Sequence, residues 1–364
     1  MTIVLDARTA TDHFPGIGRY VVNLAHALTA IAPEIDLRLL RNPGILSSRL
    51  VLPNLPTTDL PSSPFALQQQ WRVPSQLRDL KATVYHSPYY LMPYRPGVPT
   101  VLTAYDVIPL VYPQYYTLPQ RLIFRFAHAL ALKTAQITLA ISAATKRDLV
   151  RWFGAQPDRI VVTPLAADSR FRPQSTAAIQ TVREKYHLPE QFILYVGSNK
   201  PHKNLGRLVN AWLKAERGVR NAELVIAGSW DERYPEAKRL AERNDRIRFL
   251  GPIADADLPA LYGGALAFAF VSEYEGFGLP PLEALACGTP VIASNTSSLP
   301  EVIGDAGLLV DPHDVKAIAA ALDQIVSDQN LRADLKQRGP QRTVQFSWEK
   351  TAQLTLNVYR SLTG

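Results

Sequence analysis

Two glutamates eight positions apart flank a glycine-rich loop in the second half of the chain. The segment Glu275-Gly276-Phe277-Gly278-Leu279-Pro280-Pro281-Leu282-Glu283 follows an apolar run, 265–271, that is typical of a buried strand. Its prolines suit the first turn of a helix, and Gly276 and Gly278 let backbone N–H groups approach an anion. The carboxylates can accept hydrogen bonds from hydroxyls. The pattern therefore predicts a site for a sugar–diphosphate–ribose ligand, a nucleotide sugar.

A second loop in the same half carries a lysine. Lys203 lies between an apolar strand at 192–197 and a helix predicted to begin near Asn204. Ligands of parallel α/β sheets bind at the carboxyl ends of the strands, so Lys203 would place an ammonium beside a diphosphate. A solvated lysine next to a turn is the alternative, which the nearby glutamate loop makes the weaker of the two.

The first half offers three further candidates, each at the end of a predicted strand. Gly16-Ile17-Gly18 permits close backbone approach to a ligand or forms a plain tight turn; Val21 stands where a dinucleotide fingerprint needs glycine. Asp106 could bind a sugar hydroxyl, assist proton transfer or cap the following turn. His86 is expected to be a satisfied structural residue.

An Asp-x-Asp pattern at Asp255-Ala256-Asp257 matches one that some sugar-transferring enzymes use to hold a divalent metal. Because a helical pattern begins at Asp257, Asp255 is interpreted as its N-cap with acidic support in the first turn. No metal site and no metal requirement are predicted.

Alternating strands and helices must position these residues. The predicted strands fall into two series, 2–6, 37–40, 83–86, 100–104, 137–141 and 160–163, then 192–197, 223–228, 247–250, 265–271, 290–293 and 307–310. Strand–helix alternation favours parallel sheets with right-handed crossovers. The sequence therefore predicts an α/β protein with two Rossmann-like, doubly wound domains that face each other across a cleft.

The domain limits are predicted from composition. A first domain at 1–172 would be joined by a final helix at about 347–364 with Ser347 as its N-cap, and 173–346 would form the second domain. Residues 42–64 lack a clear period and are interpreted as a surface loop or a mobile excursion.

Composition narrows the class of protein. Among 364 residues Cys287 is the only cysteine, which excludes disulfides within the chain and favours a reducing compartment. The first residues read as a strand rather than a signal peptide, and no run approaches the roughly 20 apolar residues that span a bilayer. We therefore expect a cytoplasmic enzyme.

The positive charge is uneven. Residues 1–172 hold 18 Lys and Arg against 10 Asp and Glu, whereas the remainder holds 21 against 22. This excess predicts peripheral contact with an anionic membrane or an anionic acceptor; no dense basic run interleaved with aromatics suggests nucleic acid. The predicted helix 117–135 mixes basic and apolar residues, so it could lie on a membrane or simply pack on its own sheet, which we favour.

The chain resembles retaining glycosyltransferases of family 4, which have the GT-B fold. The likeness rests on Val196-Gly197, Pro201-His202-Lys203-Asn204-Leu205, Phe249-Leu250-Gly251, the Glu275-to-Glu283 spacing and Gly288-Thr289-Pro290-Val291, and extends over the whole chain. The sequence around Lys203 looks like the branch with many mannosyltransferases of polysaccharide and O-antigen assembly.

This resemblance implies a role for each matching position. Glu275 and Lys203 would act in catalysis, the first on donor-sugar hydroxyls and the second on the diphosphate, with Asp106 as a further candidate. The remaining donor-binding positions would be Gly16 and Gly18 at the phosphate, Gly276, Phe277, Gly278 and Leu279 through the backbone, Glu283 at the ribose and Ile253 at the base. Where the family often has a basic residue this chain has Ser198, so Lys200 or Lys203 would neutralise phosphate; Tyr105 replaces a common histidine.

The implied function is metal-independent transfer of a hexose, mannose favoured, from a nucleotide sugar to a glycan or lipid-linked acceptor during surface polysaccharide synthesis. The implied donor is GDP-mannose, with UDP-glucose or another UDP-hexose as the alternative, and no cofactor is expected. A nucleotide-sugar-binding protein without transfer activity and an epimerase of the same fold are the competing hypotheses.

Overall fold

The computed structural model describes the whole chain apart from residues 12, 14, 46–51, 216–218 and 243. The chain forms two compact units, Met1–Leu165 with Ser347–Gly364, and Ala166–Phe346. The first boundary falls at 165/166 rather than at 172/173 as expected from composition. The reason is that Phe171 is buried with its ring 6.0 Å from that of Tyr262, so the residues after 165 already pack in the second unit.

The described residues form thirteen strands in two sheets. The first sheet contains β1 Thr2–Asp6, β2 Asp36–Arg41, β3 Thr57–Asp59, β4 Val84–Ser87, β5 Thr100–Ala104, β6 Ile137–Ala140 and β7 Ile160–Val162. The second contains β8 Phe192–Val196, β9 Glu223–Ala227, β10 Ile247–Gly251, β11 Ala267–Phe270, β12 Val291–Ser294 and β13 Gly307–Val310. The two predicted strand series are confirmed.

Helices connect the strands. In the described part of the chain they are α1 Pro15–Ile31, α2 Gln69–Asp79, α3 Ile108–Val111, α4 Leu118–Thr134, α5 Ala143–Phe153, α6 Thr176–Lys185, α7 Leu205–Lys214, α8 Glu236–Ala241, α9 Leu258–Gly264, α10 Leu279–Ala286, α11 Leu299–Ile303, α12 Val315–Ser327, α13 Gln329–Thr343 and α14 Trp348–Ser361. Ser347 caps α14 as predicted, because its hydroxyl accepts a hydrogen bond from the backbone N–H of Lys350 at 3.1 Å.

Every strand pair in both sheets is parallel. Across the described residues the order is β3-β2-β1-β4-β5-β6-β7 in the first sheet and β10-β9-β8-β11-β12-β13 in the second. In each sheet the chain adds strands first on one side of its first strand and then on the other. The strand order therefore reverses between β1 and β4 in the first sheet and between β8 and β11 in the second. This is the doubly wound topology, in which ligands bind at the carboxyl ends of the strands that flank the reversal.

The strand β3 was not predicted. It pairs with β2 from Leu39↔Thr57 to Arg41↔Asp59, at the edge of the first sheet. The prediction that 42–64 contains only loop is therefore wrong for Thr57–Asp59, while 46–51 lie outside the described residues. An edge strand of three residues needs no apolar period, because only one of its sides is paired and its side chains are mostly exposed.

A hydrogen-bonded chain joins the last helix to the first sheet. His86 on β4 is fully buried, with its Nδ1 2.6 Å from the hydroxyl of Tyr359 on α14 and its Nε2 2.7 Å from Oγ1 of Thr103. Thr103 continues the chain to the hydroxyl of Tyr20 on α1 at 2.9 Å. Each of these buried polar groups therefore has a partner, which confirms the structural interpretation of His86.

The buried histidine makes stability depend on pH. Burial lowers the pKa of His86 to about 3 in the folded chain, whereas histidine in an unfolded chain has a pKa near 6.5. Below about pH 6.5 the unfolded state binds more protons, so we expect the free energy of unfolding to fall between about pH 7 and pH 5. Chemical unfolding at a series of pH values measures this slope.

Replacing His86 tests how much this residue contributes to the pH dependence of the free energy of unfolding. His86→Gln should reduce the slope by an amount that approaches about 1.4 kcal/mol per pH unit towards pH 5, where the unfolded histidine is fully protonated. The part of the slope due to His128 and His202, whose pKa burial also lowers to about 3, should remain. His26→Gln, at an exposed position of α1, is the matched control and should leave the slope unchanged. An undiminished slope in His86→Gln would contradict the assignment.

Candidate functional site

The loops that follow β8 and β11 meet in an ion pair. Nζ of Lys203 lies 2.8 Å from Oε1 and 2.9 Å from Oε2 of Glu275. The two side chains are 20% and 10% exposed, so the pair is shielded but reachable from solvent. Two residues that were singled out from separate motifs are thus in direct contact at the reversal point of the second sheet.

Asn204 fixes the lysine loop to its neighbours. Its φ of +59° places it in the left-handed region, where the chain turns from the short 3-10 turn Pro201–Lys203 into α7. Its Nδ2 donates to the carbonyls of Val271 at 2.9 Å and Pro312 at 2.8 Å. One buried amide therefore joins the segments that follow β8, β11 and β13.

The start of the lysine loop is held by a second amide. Asn199 donates from Nδ2 to the carbonyls of Asp231 and Tyr234, both at 2.8 Å, and accepts from the backbone N–H of Asp231 at 2.7 Å. The carbonyl of Ser198 accepts from the hydroxyl of Tyr195 at 2.7 Å, and Lys200 is exposed. The structure thus places Ser198 and Lys200 in the same fixed loop as Lys203.

The glutamate loop turns into α10 at a position that requires glycine. Gly278 has a φ of +107°, and a Cβ added there would lie 2.6 Å from Cδ2 of Leu299. Leu279 is the first helical residue, as the paired prolines predicted. Pro280 and Pro281 have no N–H, and the N–H of Leu282 donates to the carbonyl of Gly278 at 3.2 Å. The backbone N–H groups that can receive an anion at this turn are therefore those of residues 277–279.

The remaining predicted donor residues of the second unit lie at and beyond this turn, on α10 and after β10. Phe277 is buried against the ring of Phe346, with ring centroids 5.8 Å apart, and Gly276 beside it is half-buried. Glu283 on α10 is buried and its Oε2 accepts a hydrogen bond from the hydroxyl of Tyr262 at 3.3 Å. Ile253 is half-buried and lies just after β10.

Burial sets the electrostatics around the ion pair. Burial first and the charge of Glu275 second raise the pKa of Tyr195, so this phenol stays protonated and can donate. Burial, with smaller contributions from Lys203 and Lys200, lowers the pKa of His202 to about 3, so this imidazole is neutral. The groups around Lys203 therefore include two neutral polar side chains, Tyr195 and His202, and the carboxylate of Glu275.

Three predicted residues belong to the first unit. Gly16 and Gly18 lie at the start of α1, where Gly16 is exposed and Gly18 is buried. Oδ1 of Asp106 accepts from the backbone N–H of Ile108 at 3.0 Å, so Asp106 caps the turn into α3. The catalytic role of Asp106 and the donor-binding role of the two glycines stay predictions.

The interpretation of Asp255 as a helix N-cap is wrong. Helix α9 begins at Leu258, and the position before it is Asp257. The carboxylate of Asp257 accepts from Nζ of Lys185 at 2.6 Å and from the hydroxyl of Tyr186 at 2.7 Å, while Asp255 lies 4.0 Å from Arg170. The cause is tertiary, because α6 brings a lysine and a tyrosine to Asp257.

Sequence reasoning missed the residues that hold the site together. The sequence pattern predicts no specific contact for Asn204, for Tyr262 or for the hydroxyl-rich segment 294–298. The hydroxyl cluster Thr296-Ser297-Ser298 directly after a predicted strand was a usable signal, because polar residues at strand ends line sites in such sheets.

Comparison with known proteins gives matches to both halves of the chain. Residues 15–171 match the family model of Glycosyltransferase Family 4, and residues 179–342 match that of Glycosyl transferases group 1. O-antigen chain mannosyltransferase B of Escherichia coli is 36% identical, with 100% of both chains covered. The serotype-specific mannosyltransferase WbdA of Escherichia coli is 32% identical over 72% of this chain, which spans 33% of that protein.

Solved structures share the fold. Sucrose-phosphate synthase from Thermosynechococcus elongatus has a TM-score of 0.80 at 24% identity, covering 100% of this chain and 99% of its own. Anabaena HepE in complex with UDP and glucose has a TM-score of 0.78 at 18% identity, covering 99% and 100%. The two Rossmann-like domains are those of the GT-B fold.

The amide of Asn204 should contribute strongly to stability. Asn204→Ala leaves two buried carbonyls without this donor and puts alanine at a left-handed φ, so we expect a loss of about 2–4 kcal/mol in the free energy of unfolding. Asn210→Ala, a half-buried position on the same helix, is the control and should change it by less than about 1 kcal/mol. Urea unfolding measures both; equal losses would contradict the role of Asn204.

Proposed function

Because this chain belongs to glycosyltransferase family 4, within the group 1 glycosyl transferases, we propose that it moves a mannosyl group from a nucleotide sugar to a surface glycan with retention of configuration. That it is a glycosyltransferase follows from the family. The observation that carries the finer proposal is the ion pair between Lys203 and Glu275 at the ends of β8 and β11. It puts a cation and a hydroxyl acceptor side by side, as a sugar bound to a diphosphate requires.

The donor is a nucleotide sugar bound by the second unit. Glu275 accepts from hydroxyls of the sugar, Lys203 faces the diphosphate, Glu283 accepts from the ribose and Ile253 packs on the base. The backbone N–H groups of Phe277, Gly278 and Leu279, which lead into α10, receive phosphate oxygens. Anabaena HepE binds UDP-glucose in a similar fold, which supports the ligand class.

The preferred donor is GDP-mannose. Support comes from the mannosyltransferases among the relatives, the O-antigen chain enzyme at full coverage in particular. A UDP-hexose is the second candidate, favoured by the structures of Anabaena HepE with UDP and UDP-glucose. GDP-mannose and a UDP-hexose differ in base and sugar, so a comparison of their binding affinities distinguishes the two candidates.

The ion pair need not break when the donor binds. An ammonium has three N–H donors, and two short contacts to the Glu275 carboxylate leave donor capacity directed elsewhere. We therefore assign Lys203 to both the carboxylate and the diphosphate, so that it stabilises the leaving group while it orients Glu275. The carboxylate is thereby committed to hydroxyl recognition rather than to attack.

Transfer then proceeds on one face of the sugar. The bond between the anomeric carbon and the diphosphate oxygen breaks, the acceptor oxygen bonds to the same face of that carbon, and the acceptor proton passes to the leaving diphosphate. Retention follows because the incoming and outgoing oxygens share one face. Lys203 and the backbone N–H groups of residues 277–279 stabilise the negative charge of the departing diphosphate.

We propose that no metal is required, because these groups already supply the positive charge. The Asp-x-Asp pattern does not offer an alternative, since Asp257 is engaged by Lys185 and Tyr186. These contacts, with Lys185 as the largest cause, lower the pKa of Asp257 and keep it as the anionic partner of Lys185.

The acceptor is assigned to the first unit, with Asp106 near its nucleophilic hydroxyl. A glycan, free or lipid-linked, fits the surface-polysaccharide relatives. The reaction would take place in the cytoplasm, where nucleotide sugars would meet an acceptor at the inner membrane face.

A transfer assay tests the proposal. Wild-type protein in the presence of EDTA should consume GDP-mannose when given mannosylated glycan or lipid-linked acceptors, and Glu275→Ala should lose about 10²–10³-fold in kcat/KM. Product analysis by mass spectrometry and NMR reads the linkage and the anomeric configuration. A parallel reaction with UDP-glucose in place of GDP-mannose shows which donor the protein uses.

The controls separate loss of chemistry from loss of fold. Glu242→Gln, at an exposed position after α8, should keep full activity, and Glu275→Ala should keep the circular dichroism of the wild type. Full activity in Glu275→Ala would overturn the assignment. An altered free sugar nucleotide without glycoside product would favour the epimerase, and binding without turnover would favour the non-transferring protein.

Membrane contact is proposed on the surface of α4. One face packs inward through Phe124, Ala127, His128 and Ala131, which confirms the expected packing on its own domain. The opposite face exposes large apolar side chains at Leu118, Leu122, Ile123, Phe126 and Leu130, between 44% and 66% exposed. Exposed apolar residues on the outer face of a helix mark an interaction surface.

The charge around this face favours an anionic bilayer. Between Val107 and Arg147 the sequence contains no Asp or Glu, and α4 itself carries Arg121, Arg125 and Lys133. Basic residues beside apolar ones suit a helix that lies in the interface of an anionic membrane. None of the helices in the described residues is long and apolar enough to cross a bilayer.

Vesicle sedimentation tests the membrane proposal. The protein should bind vesicles containing phosphatidylglycerol more tightly than neutral ones, and Phe126→Ser should weaken binding about tenfold, since a large apolar side chain contributes roughly 1.5–3 kcal/mol when buried. Leu213→Ser, at an exposed apolar position of the second unit, is the control and should bind as the wild type does. Equal loss in both variants, or no vesicle binding, would overturn the role of α4.

A further inference from the structure

Four hydroxyl side chains, at the last residue of β12 and in the segment that follows it, lie beside the loop that carries Glu275. They are Ser294, Thr296, Ser297 and Ser298, here called the hydroxyl ladder. Each donates to backbone carbonyls of the neighbouring loop, so the ladder spans that loop from Ser272 to Phe277. Loop carbonyls at the end of a sheet have no strand partner, and buried ones need a donor.

The first two residues of the hydroxyl ladder, Ser294 and Thr296, hold the loop where it leaves β11. Ser294 donates to the carbonyl of Ser272, and Thr296 donates to the carbonyl of Glu273 at 3.0 Å. Ser272 and Ser294 are fully buried. The loop is therefore fixed before it reaches the catalytic residue.

Ser297 holds the backbone of Glu275 on both sides. Its hydroxyl donates to the carbonyl of Glu275 at 2.6 Å and accepts from the backbone N–H of Glu275 at 3.3 Å. To do so, Ser297 adopts a φ of +56°, a conformation that non-glycine residues rarely take. Strain of this kind persists where the surrounding contacts enforce it, and it concentrates at functional sites.

Ser298 also hydrogen-bonds to the glutamate loop, as far along as Phe277. Its hydroxyl is fully buried, 2.7 Å from the carbonyl of Phe277 and 2.9 Å from that of Glu275. Ser298 occupies the N-cap position of α11, yet its hydroxyl is directed to the glutamate loop instead of to the backbone of its own helix. An N-cap side chain that bonds to its own helix stabilises it by about 1 kcal/mol. Ser298 does not give α11 this hydrogen bond and stabilises the glutamate loop instead.

We propose that Ser297 and Ser298 are positioning residues for transfer: they hold the Glu275 backbone so that its carboxylate meets the donor sugar. The proposal rests on the proposed function and adds the device that sets the geometry. Neither hydroxyl touches the donor, because both are committed to the loop backbone. Their effect passes through the placement of Glu275 and of the N–H groups that begin α10.

Placement of this kind affects the chemical step more than binding. A shift of about 1 Å at a reacting group can cost about 10²-fold in rate, whereas the nucleotide keeps its contacts with Glu283 and Ile253. We therefore expect Ser298→Ala to lower kcat about 10–100-fold with less than about a threefold change in KM for the donor. A role confined to folding would not produce this split.

Hydrogen exchange gives a second readout that does not depend on turnover. In Ser298→Ala the amides of 275–279 should exchange at least about tenfold faster than in the wild type, while those of β11 stay protected. If Ser298→Ala fails to fold, Ser297→Gly serves instead, since glycine accepts the positive φ and lacks the hydroxyl. Asparagine also tolerates this φ and can hydrogen-bond, so Ser297→Asn should have a higher kcat than Ser297→Gly.

Thr355→Val is the control for loss of a buried hydroxyl. Thr355 is fully buried on α14 and donates to the carbonyl of Thr351 at 2.8 Å, so its replacement should leave kcat and the exchange of 275–279 unchanged. Wild-type rates and wild-type exchange in the serine variants would overturn the inference. Absence of transfer by the wild type would instead overturn the proposed function, and exchange would still decide whether the ladder fixes the loop.

Discussion

The parallel pairing of β8 with β11 is the constraint on which the candidate site depends. These strands are neighbours although two strands and several helices separate them in the sequence, and their register sets Ala267 against Ile193. Both strands are continuously apolar and buried on both faces, so hydrophobic burial fixes them at the centre of the sheet. Their carboxyl ends then emerge side by side, and Lys203 and Glu275 meet there.

Pairing alone does not hold the two loops, because loop backbone groups fall outside the sheet ladder. Side-chain amides and hydroxyls supply the missing donors: Asn204 and Asn199 for the lysine loop, and the hydroxyl ladder for the glutamate loop. These bonds supply donors to carbonyls that are buried or half-buried, and a buried carbonyl without a donor would cost about 1–3 kcal/mol. The same bonds that stabilise the second unit therefore fix the positions of its two charged residues.

The first unit uses its polar interior for a different purpose. The chain from Tyr359 through His86 and Thr103 to Tyr20 ties the last helix to the first sheet, so residues from both ends of the sequence form one core. His86, which stood in the sequence as a candidate for chemistry, is thereby committed to structure. The outer face of α4, in contrast, leaves large apolar side chains exposed among basic ones.

The sequence by itself determined the two series of strands, the glycine turn before α10 and the residue types on which the proposed nucleotide-sugar site rests. Apolar runs, prolines and glycines act locally, so their consequences can be predicted without knowing what lies across the sheet. It did not predict β3, the partners of Asp257 or the hydroxyls around Glu275. Those depend on which segments the fold brings together: β2 beside β3, α6 beside Asp257, and the residues after β12 beside the loop after β11. Hydrogen bonds and ion pairs act only over a few ångströms, so the tertiary structure alone decided these contacts.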